Sequence, residues 1–261
     1  MVRASDLVDA ARGAVAAGRW EQAESLLSAD RENPDVALAL AETSVDAAVW
    51  RRGGARGRAH ERAAERRIPV ARALRGTLDV GVRLLALRHR YHRLLTGADS
   101  SPATGLAGDL AALGHQQCLD CDPAAGWTAF YRGLCHDHLL HDSRTAEPLY
   151  ADAAEQARAR GDRLAESYPL RQLAWIAHAR GDLDTSLDLA YRSLALRQSV
   201  AAAPAIAAQQ VMVVQFELEG GAATRPLRGM TECAALTARV LDLPFVASAA
   251  AALQAKLPAE V

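Results

Sequence analysis

Hydrophobic and small residues recur at helical spacing on both sides of a glycine between residues 167 and 197. Before the glycine they are Leu170, Leu173, Ala174 and Ala177. After it they are Ser186, Leu187, Ala190, Ser193, Leu194 and Arg197. Gly181 can take the left-handed conformation that ends a helix, and Asp182 follows it. The pattern predicts two amphipathic helices that fold back on each other as a hairpin.

This hairpin resembles a tetratricopeptide repeat (TPR), in which a large and a small residue precede a turn glycine and small residues follow it. The matching positions are Leu173, Ala174, Gly181, Ser186 and Ala190. The N-terminus repeats the pattern at Ala10, Ala11, Gly18, Trp20, Ala23 and Leu27. The resemblance is clearest at residues 4–29 and 124–198 and weaker between them.

Candidate turns between paired helices recur at similar intervals along the whole chain. They are Gly18, Gly57, Gly97, His141, Gly181 and Gly221. The intervals of about 40 residues exceed the usual TPR period of about 34 residues. The resemblance therefore implies an all-α fold: one domain over residues 1–261, built as a right-handed α-solenoid of about six helical hairpins. A last helix at residues 244–257 is expected to cap its C-terminal end.

Composition is consistent with closely packed helices and excludes several functional classes. Half of the 261 residues are hydrophobic but only 5% are aromatic, which suits Ala- and Leu-rich helices. The net charge of −1 gives no sign that the whole molecule binds polyanions. No apolar run is long enough to span a bilayer, and the first residues lack the apolar core of a secretion signal. We therefore expect a cytoplasmic protein with reduced cysteines and no membrane partner.

One segment departs from this composition. Residues 51–67 are rich in Arg and Gly, which predicts a candidate mobile segment leading into a short helix. Such a segment can bind phosphate backbones electrostatically. It contains no aromatic residue for base stacking, so nucleic acid is not an expected partner.

Cysteine and histidine residues concentrate between positions 115 and 141. Cys118 and Cys121 form a Cys-x-x-Cys pair, while Cys135 and His138 lie one helical turn apart. Thiolate and imidazole ligands are those of tetrahedral zinc sites, so these four residues are candidate metal ligands. The alternative is that they are small and polar core residues without a metal, and no cofactor other than zinc is indicated.

Candidate ligand-binding residues follow from the resemblance, because the first helix of each TPR hairpin lines the concave groove. This places Tyr168, Arg171, Trp175 and His178 in a groove-facing stripe. The equivalent positions forty residues earlier add Tyr131 and His138. Arg171 could bind a carboxylate through two parallel hydrogen bonds. The alternative is that Trp175 packs on the next repeat and Arg171 pairs with Glu42, Asp46 or another acid.

The sequence favours a binding module over an enzyme, since it contains no phosphate loop, nucleophile elbow or dinucleotide fingerprint. The expected occupant of the groove is a peptide, a segment of a protein partner or a small acidic molecule. Two alternatives remain: a metal-dependent or pocket-based enzyme that uses the Cys/His-rich region 115–141, and a ligand-sensing regulatory protein. The apolar C-terminal units leave a homodimer open as well.

Overall fold

A computed structural model describes residues 3–116, 124–222 and 225–257, and within these ranges it contains thirteen α-helices and no β-strand. In chain order the helices are α1 Ala4–Ala16, α2 Trp20–Leu27, α3 Pro34–Trp50, α4 Ala55–Arg75, α5 Val80–Leu95, α6 Ala103–Gln116, α7 Ala125–Leu134, α8 Ser143–Ala159, α9 Arg163–Ala179, α10 Leu183–Ser199, α11 Ala203–Glu219, α12 Arg225–Leu241 and α13 Pro244–Gln254. The all-α prediction is confirmed over the described ranges. None of the described helices combines the length and apolar character that crossing a membrane requires.

The C-terminal half is regular because a left-handed residue recurs every twenty positions. Positive φ angles occur at His141, Gly161, Gly181, Ala201 and Gly221. Each ends one helix and starts a short turn into the next, and the aspartate that follows several of them caps the next helix. The side chains of Asp142, Asp162 and Asp182 accept hydrogen bonds from the backbone N–H three residues later. Two helices of 17 residues with their turns account for the repeat of about 40 residues.

The Arg-rich region differs from its prediction. The expected short helix is α4, which has 21 residues and begins at Ala55. Gly57 is not at a turn but inside α4, and the turn spans residues 51–54. A side chain at Gly57 would place its Cβ 2.2 Å from the Arg51 carbonyl oxygen, so this glycine permits the close approach of the turn to the helix.

Packing is mostly between neighbours in the chain, as in stacked helical hairpins. Helices α3 and α4, α7 and α8, and α9 and α10 make the most extensive contacts. The odd-numbered helices also pack on one another, α1 on α3, α3 on α5, α5 on α7, α7 on α9 and α11 on α13. They form an inner layer, whose exposed side we call the inner face.

The two ends of the chain also meet. Trp20 and Ala47 from the N-terminal helices share one hydrophobic cluster with Ala207, Ala238 and Val246 from the C-terminal helices. Arg51, 4% exposed, joins the same ends, because its guanidinium binds Glu21 and donates to the Leu241 carbonyl oxygen at 3.3 Å. The predicted capping helix α13 therefore packs on both the C-terminal and the N-terminal helices. An open array would lack this contact.

Candidate functional site

A charged group lies at the centre of the inner face. The Arg88 guanidinium on α5 donates to Asp46 Oδ1 at 2.8 Å and to the Tyr131 hydroxyl at 3.3 Å. Arg88 also lies over the Trp127 ring, 5.7 Å from its centroid. Glu42, one helical turn before Asp46, has no hydrogen-bond or ion-pair partner among the described residues. Burial raises the pKa of both carboxyl groups, and the charge of Arg88 opposes this effect.

Histidine 92 stands beside this group and is electrically neutral. Its Nε2 lies 3.5 Å from the Tyr131 hydroxyl. Burial and the neighbouring charges of Arg88 and Arg52 lower the pKa of His92 to about 3. The ring therefore serves as a neutral hydrogen-bonding group at physiological pH.

Toward α9 and α11 the inner face becomes positively charged without nearby carboxylates. Arg171 Nη1 donates to the Ala208 carbonyl oxygen at 3.0 Å and to Gln209 Oε1 at 2.9 Å. Arg197, 1% exposed, donates to Ser167 and to the Ala205 carbonyl oxygen, and its guanidinium lies over the Tyr168 ring at 4.9 Å. Neither arginine has a carboxylate within ion-pair distance in the part of the chain that the structure describes.

Arg197 is fully buried and Arg171 partly buried, so both keep their charge at a cost in desolvation. Burial, with a contribution from the charge of Arg197, lowers the pKa of Arg171 to about 9. Burial likewise lowers the pKa of Arg197 to about 10. Both stay protonated at pH 7, and the partly exposed Arg171 gives this part of the inner face a positive charge that attracts anions.

A small pocket of about 80 Å³ opens beside Arg171 between α9, α11 and α13. Its lining is largely apolar, and Arg171 is the one charged residue in it. The lining residues are Arg171, Trp175, Ala208, Val211, Met212, Gln215, Phe245, Val246 and Ala249. At its edge the Arg52 guanidinium lies 4.4 Å from the centroid of the exposed Phe245 ring. A pocket of this kind can hold an apolar group next to a negative charge.

The predicted groove residues divide into three groups. Arg171 and Trp175 line the pocket, whereas Tyr131 and Tyr168 belong to the aromatic and charged centre. His178 lies farther along α9, stacked on Phe216 at 4.2 Å and with Nε2 2.6 Å from Glu219. Of the alternative interpretation, Trp175 does pack on Phe216 of α11 with ring centroids 4.8 Å apart. Arg171 pairs with no acid among the described residues and donates instead to Ala208 and Gln209.

The sixth predicted groove residue, His138, lies in a π-helical turn, Cys135–Leu139, that continues α7, and its partner Tyr91 contacts the Tyr131 ring of the central group. Its Nδ1 lies 2.6 Å from the Tyr91 hydroxyl. The Tyr150 hydroxyl donates to Asp137 Oδ2 at 3.2 Å, and His138 Nε2 lies 3.6 Å from the same oxygen. The side chains of Asp137 and His138 thus connect two buried tyrosines.

The candidate metal ligands are only partly within the described residues, because Cys118 and Cys121 lie outside them. Cys135 is buried, with its Sγ 3.7 Å from the Ala103 carbonyl oxygen on α6, whereas His138 faces Tyr91 on α5. Within residues 3–116, 124–222 and 225–257, no three His, Cys, Asp or Glu side chains are placed to hold a metal ion. The zinc prediction stays untested.

Sequence reasoning missed several residues of this site. Arg88 lies four positions after Leu84 on the apolar stripe of α5, and Arg197 was placed in the buried stripe of α10. A charged residue on a buried stripe is the signal that could have identified both. No local signal indicates Phe245 or Arg52, because Phe245 reaches the pocket by the packing of α13 on α11, and Arg52 by the contact between the chain ends.

Comparisons with known proteins add little to this picture. No protein-family model matches the chain, and no curated protein matches it. Among solved structures, the crystal structure of BtubC (BKLC) from P. vanneervenii is similar at 16% sequence identity and a TM-score of 0.46, over 100% of this chain and 96% of that chain. At this level the likeness assigns no function to the chain.

Proposed function

We propose that this protein is a TPR-like binding module, a right-handed α-solenoid of six helical hairpins with α13 as its last helix. Its inner face holds a peptide, a partner segment or a small acidic ligand. The packing of consecutive helices and the recurring left-handed turns support the architecture. Fold alone does not decide function, so the binding role rests on the site.

The observation that carries the proposal is the uncompensated charge of Arg171 at an apolar pocket. Removing a charge from water without an ionic partner costs free energy. A side chain placed this way gives a bound anion a strong, charge-assisted hydrogen bond. Residues that lower the stability of the free protein are common in binding sites.

The proposal is tested by titrating the purified protein with a panel of short peptides and small carboxylic acids, using isothermal titration calorimetry. Arg171→Met should weaken binding of any ligand found by about 10- to 100-fold, since hydrogen bonds to charged groups contribute about 1.5–3 kcal/mol. Arg192→Met is the matched control, because Arg192 on α10 is 52% exposed and has only an exposed ion pair with Asp188.

Thermal denaturation of the same variants separates binding from folding. Arg171→Met should lower the stability by about 1–3 kcal/mol, because the Ala208 carbonyl and the buried Gln209 Oε1 lose their donor, so binding is compared at a temperature where both variants are folded. The proposal fails if no member of the panel binds, or if Arg171→Met and Arg192→Met bind every ligand equally well.

A further inference from the structure

The size of the Arg171 pocket limits what can enter it. A cavity of about 150 Å³ is large enough for benzene, whereas this pocket has about 80 Å³. It therefore accommodates about three or four carbon atoms. Trp175, Val211, Met212 and Val246 surround this space with apolar groups, so the part of the ligand that enters is a short aliphatic group.

Arg171 leaves one edge of its guanidinium available. Its hydrogen bonds to Ala208 and Gln209 both use Nη1. Nε and Nη2 donate to no acceptor among the described residues, and these two N–H groups form the side-on pair that binds a carboxylate through two parallel hydrogen bonds. The pocket thus combines space for an aliphatic group with a donor pair for a carboxylate.

The surrounding charges also determine what is excluded. Arg197 lies close enough to Arg171 to lower its pKa, and Arg52 covers the pocket residue Phe245. No carboxylate of the described residues pairs with any of these three arginines. An ammonium group next to the ligand's carboxylate would be repelled, so a free amino acid is disfavoured.

The contacts between the chain ends favour a small ligand over an extended chain. The cluster around Trp20, Ala47 and Val246 joins the first helices to the last, and Val246 of this cluster also lines the pocket. Arg88, Tyr131 and Tyr168 occupy the centre of the inner face.

We infer that the pocket binds a short-chain aliphatic monocarboxylate of about four or five carbons, with its carboxylate on Arg171 and its chain between Trp175, Val211 and Val246. This inference rests on the proposed binding function and specifies its ligand class.

Ligand-observed NMR titration with a homologous series tests the inference. The probes are acetate, propanoate, butanoate, 3-methylbutanoate and phenylacetate. Affinity should rise about four-fold per added carbon, as expected for burial of one methylene, up to 3-methylbutanoate. It should then fall at phenylacetate, whose ring exceeds the pocket. 3-Methylbutanamide and leucine should bind at least about ten-fold more weakly than 3-methylbutanoate.

Two variants separate the apolar and the charged contributions. Ala249→Phe fills the pocket and should remove the preference for longer chains, with Ala249→Val as a smaller substitution if the first does not fold. Arg171→Gln should remove the preference for 3-methylbutanoate over its amide.

The titration results can contradict the ligand class without contradicting the proposed binding function. The short-chain acid is wrong as the ligand class if acid and amide bind equally well or if affinity does not depend on chain length. It is also wrong if an acetylated peptide that ends in a free valine carboxylate binds more tightly. Each of these results still agrees with the proposed binding function. Failure of these probes and of the whole peptide and acid panel would overturn both.

Discussion

At the residue scale, this protein treats buried charge in two different ways. Glu24 on α2 is fully compensated, since Arg67 Nη1 donates to it at 2.6 Å and His60 Nδ1 lies 3.4 Å away. Arg51 Nη1 in turn lies 3.3 Å from His60 Nε2, so His60 connects the Glu24 pair to the Arg51–Glu21 pair. Arg171 has no such ionic partner among the residues that the structure describes. Compensation at Glu24 stabilises the fold, whereas its absence at Arg171 leaves charge available for a ligand.

Glu24 should make stability depend on pH. Burial opposes its ionisation, but the hydrogen bonds and charges of His60 and Arg67 outweigh burial and lower its pKa from 4.5 to about 2. Because the folded-state pKa is depressed, the stabilisation is present above about pH 4.5 and is lost as pH falls toward 2. Glu24→Gln should cost up to about 3 kcal/mol at pH 7 and progressively less at pH 4 and 3.

Urea unfolding of wild type and Glu24→Gln at pH 7, 5, 4 and 3 measures this difference. Glu32→Gln, at an exposed position without an ion pair, should leave the free energy of unfolding unchanged at every pH. A difference between wild type and Glu24→Gln that is the same at all four pH values would contradict the assignment.

At the element scale, the helices of the C-terminal half are separated by left-handed residues rather than by long loops. Glycine meets this requirement at Gly161, Gly181 and Gly221, but His141 and Ala201 take the same conformation with a side chain. A side chain at positive φ is strained by about 1–2 kcal/mol. Since Gly181 faces open space, its replacement measures the backbone effect alone.

Ala201→Gly should therefore stabilise the protein by about 0.5–1 kcal/mol, because relief of strain exceeds the entropy lost on ordering glycine. Gly181→Ala should destabilise it by about 1 kcal/mol for the opposite reason. The urea midpoints of the two variants should move in opposite directions at an unchanged slope. Shifts in the same direction would show that the turns do not need this conformation.

At the scale of the whole molecule, the meeting of the chain ends is the feature that an array of independent repeats lacks. Gly18, between α1 and α2, has φ 75 and lies against the C-terminal helices. A Cβ there would stand 2.7 Å from Leu241 Cδ1 and 3.1 Å from Pro204 Cγ. Gly18 and Gly181 thus have the same left-handed backbone conformation. Gly18 lies against Leu241 and Pro204, whereas Gly181 faces open space.

Gly18→Ala should destabilise the protein by up to about 1 kcal/mol more than Gly181→Ala, because both variants strain the backbone but only the first requires the Leu241 side chain to move. Urea unfolding of the two variants measures this difference. Equal losses of stability would mean that crowding at Gly18 contributes nothing measurable.

Sequence patterns alone determined the helical class, most of the turns and which side chains share a helix face. The turns at Gly18, Gly97, His141, Gly181 and Gly221 were identified correctly because a left-handed residue at a helix end is a local property. The turn assigned to Gly57 was wrong, since a glycine can equally mark close approach inside a helix. The stripe containing Tyr168, Arg171 and Trp175 also followed from local periodicity.

Only the tertiary structure decided how that stripe is used. Arg51 reaches the Leu241 carbonyl oxygen across 190 positions of sequence, and the neighbouring Arg52 lies over the pocket residue Phe245. Whether chain ends meet depends on small rotations summed over every hairpin, which helical periodicity does not encode. The partners of Arg171 and Arg88 were undecided for the same reason. By charge alone, each arginine could pair with many of the acidic residues. The packing of helices that are distant in sequence decides which acceptors each arginine reaches.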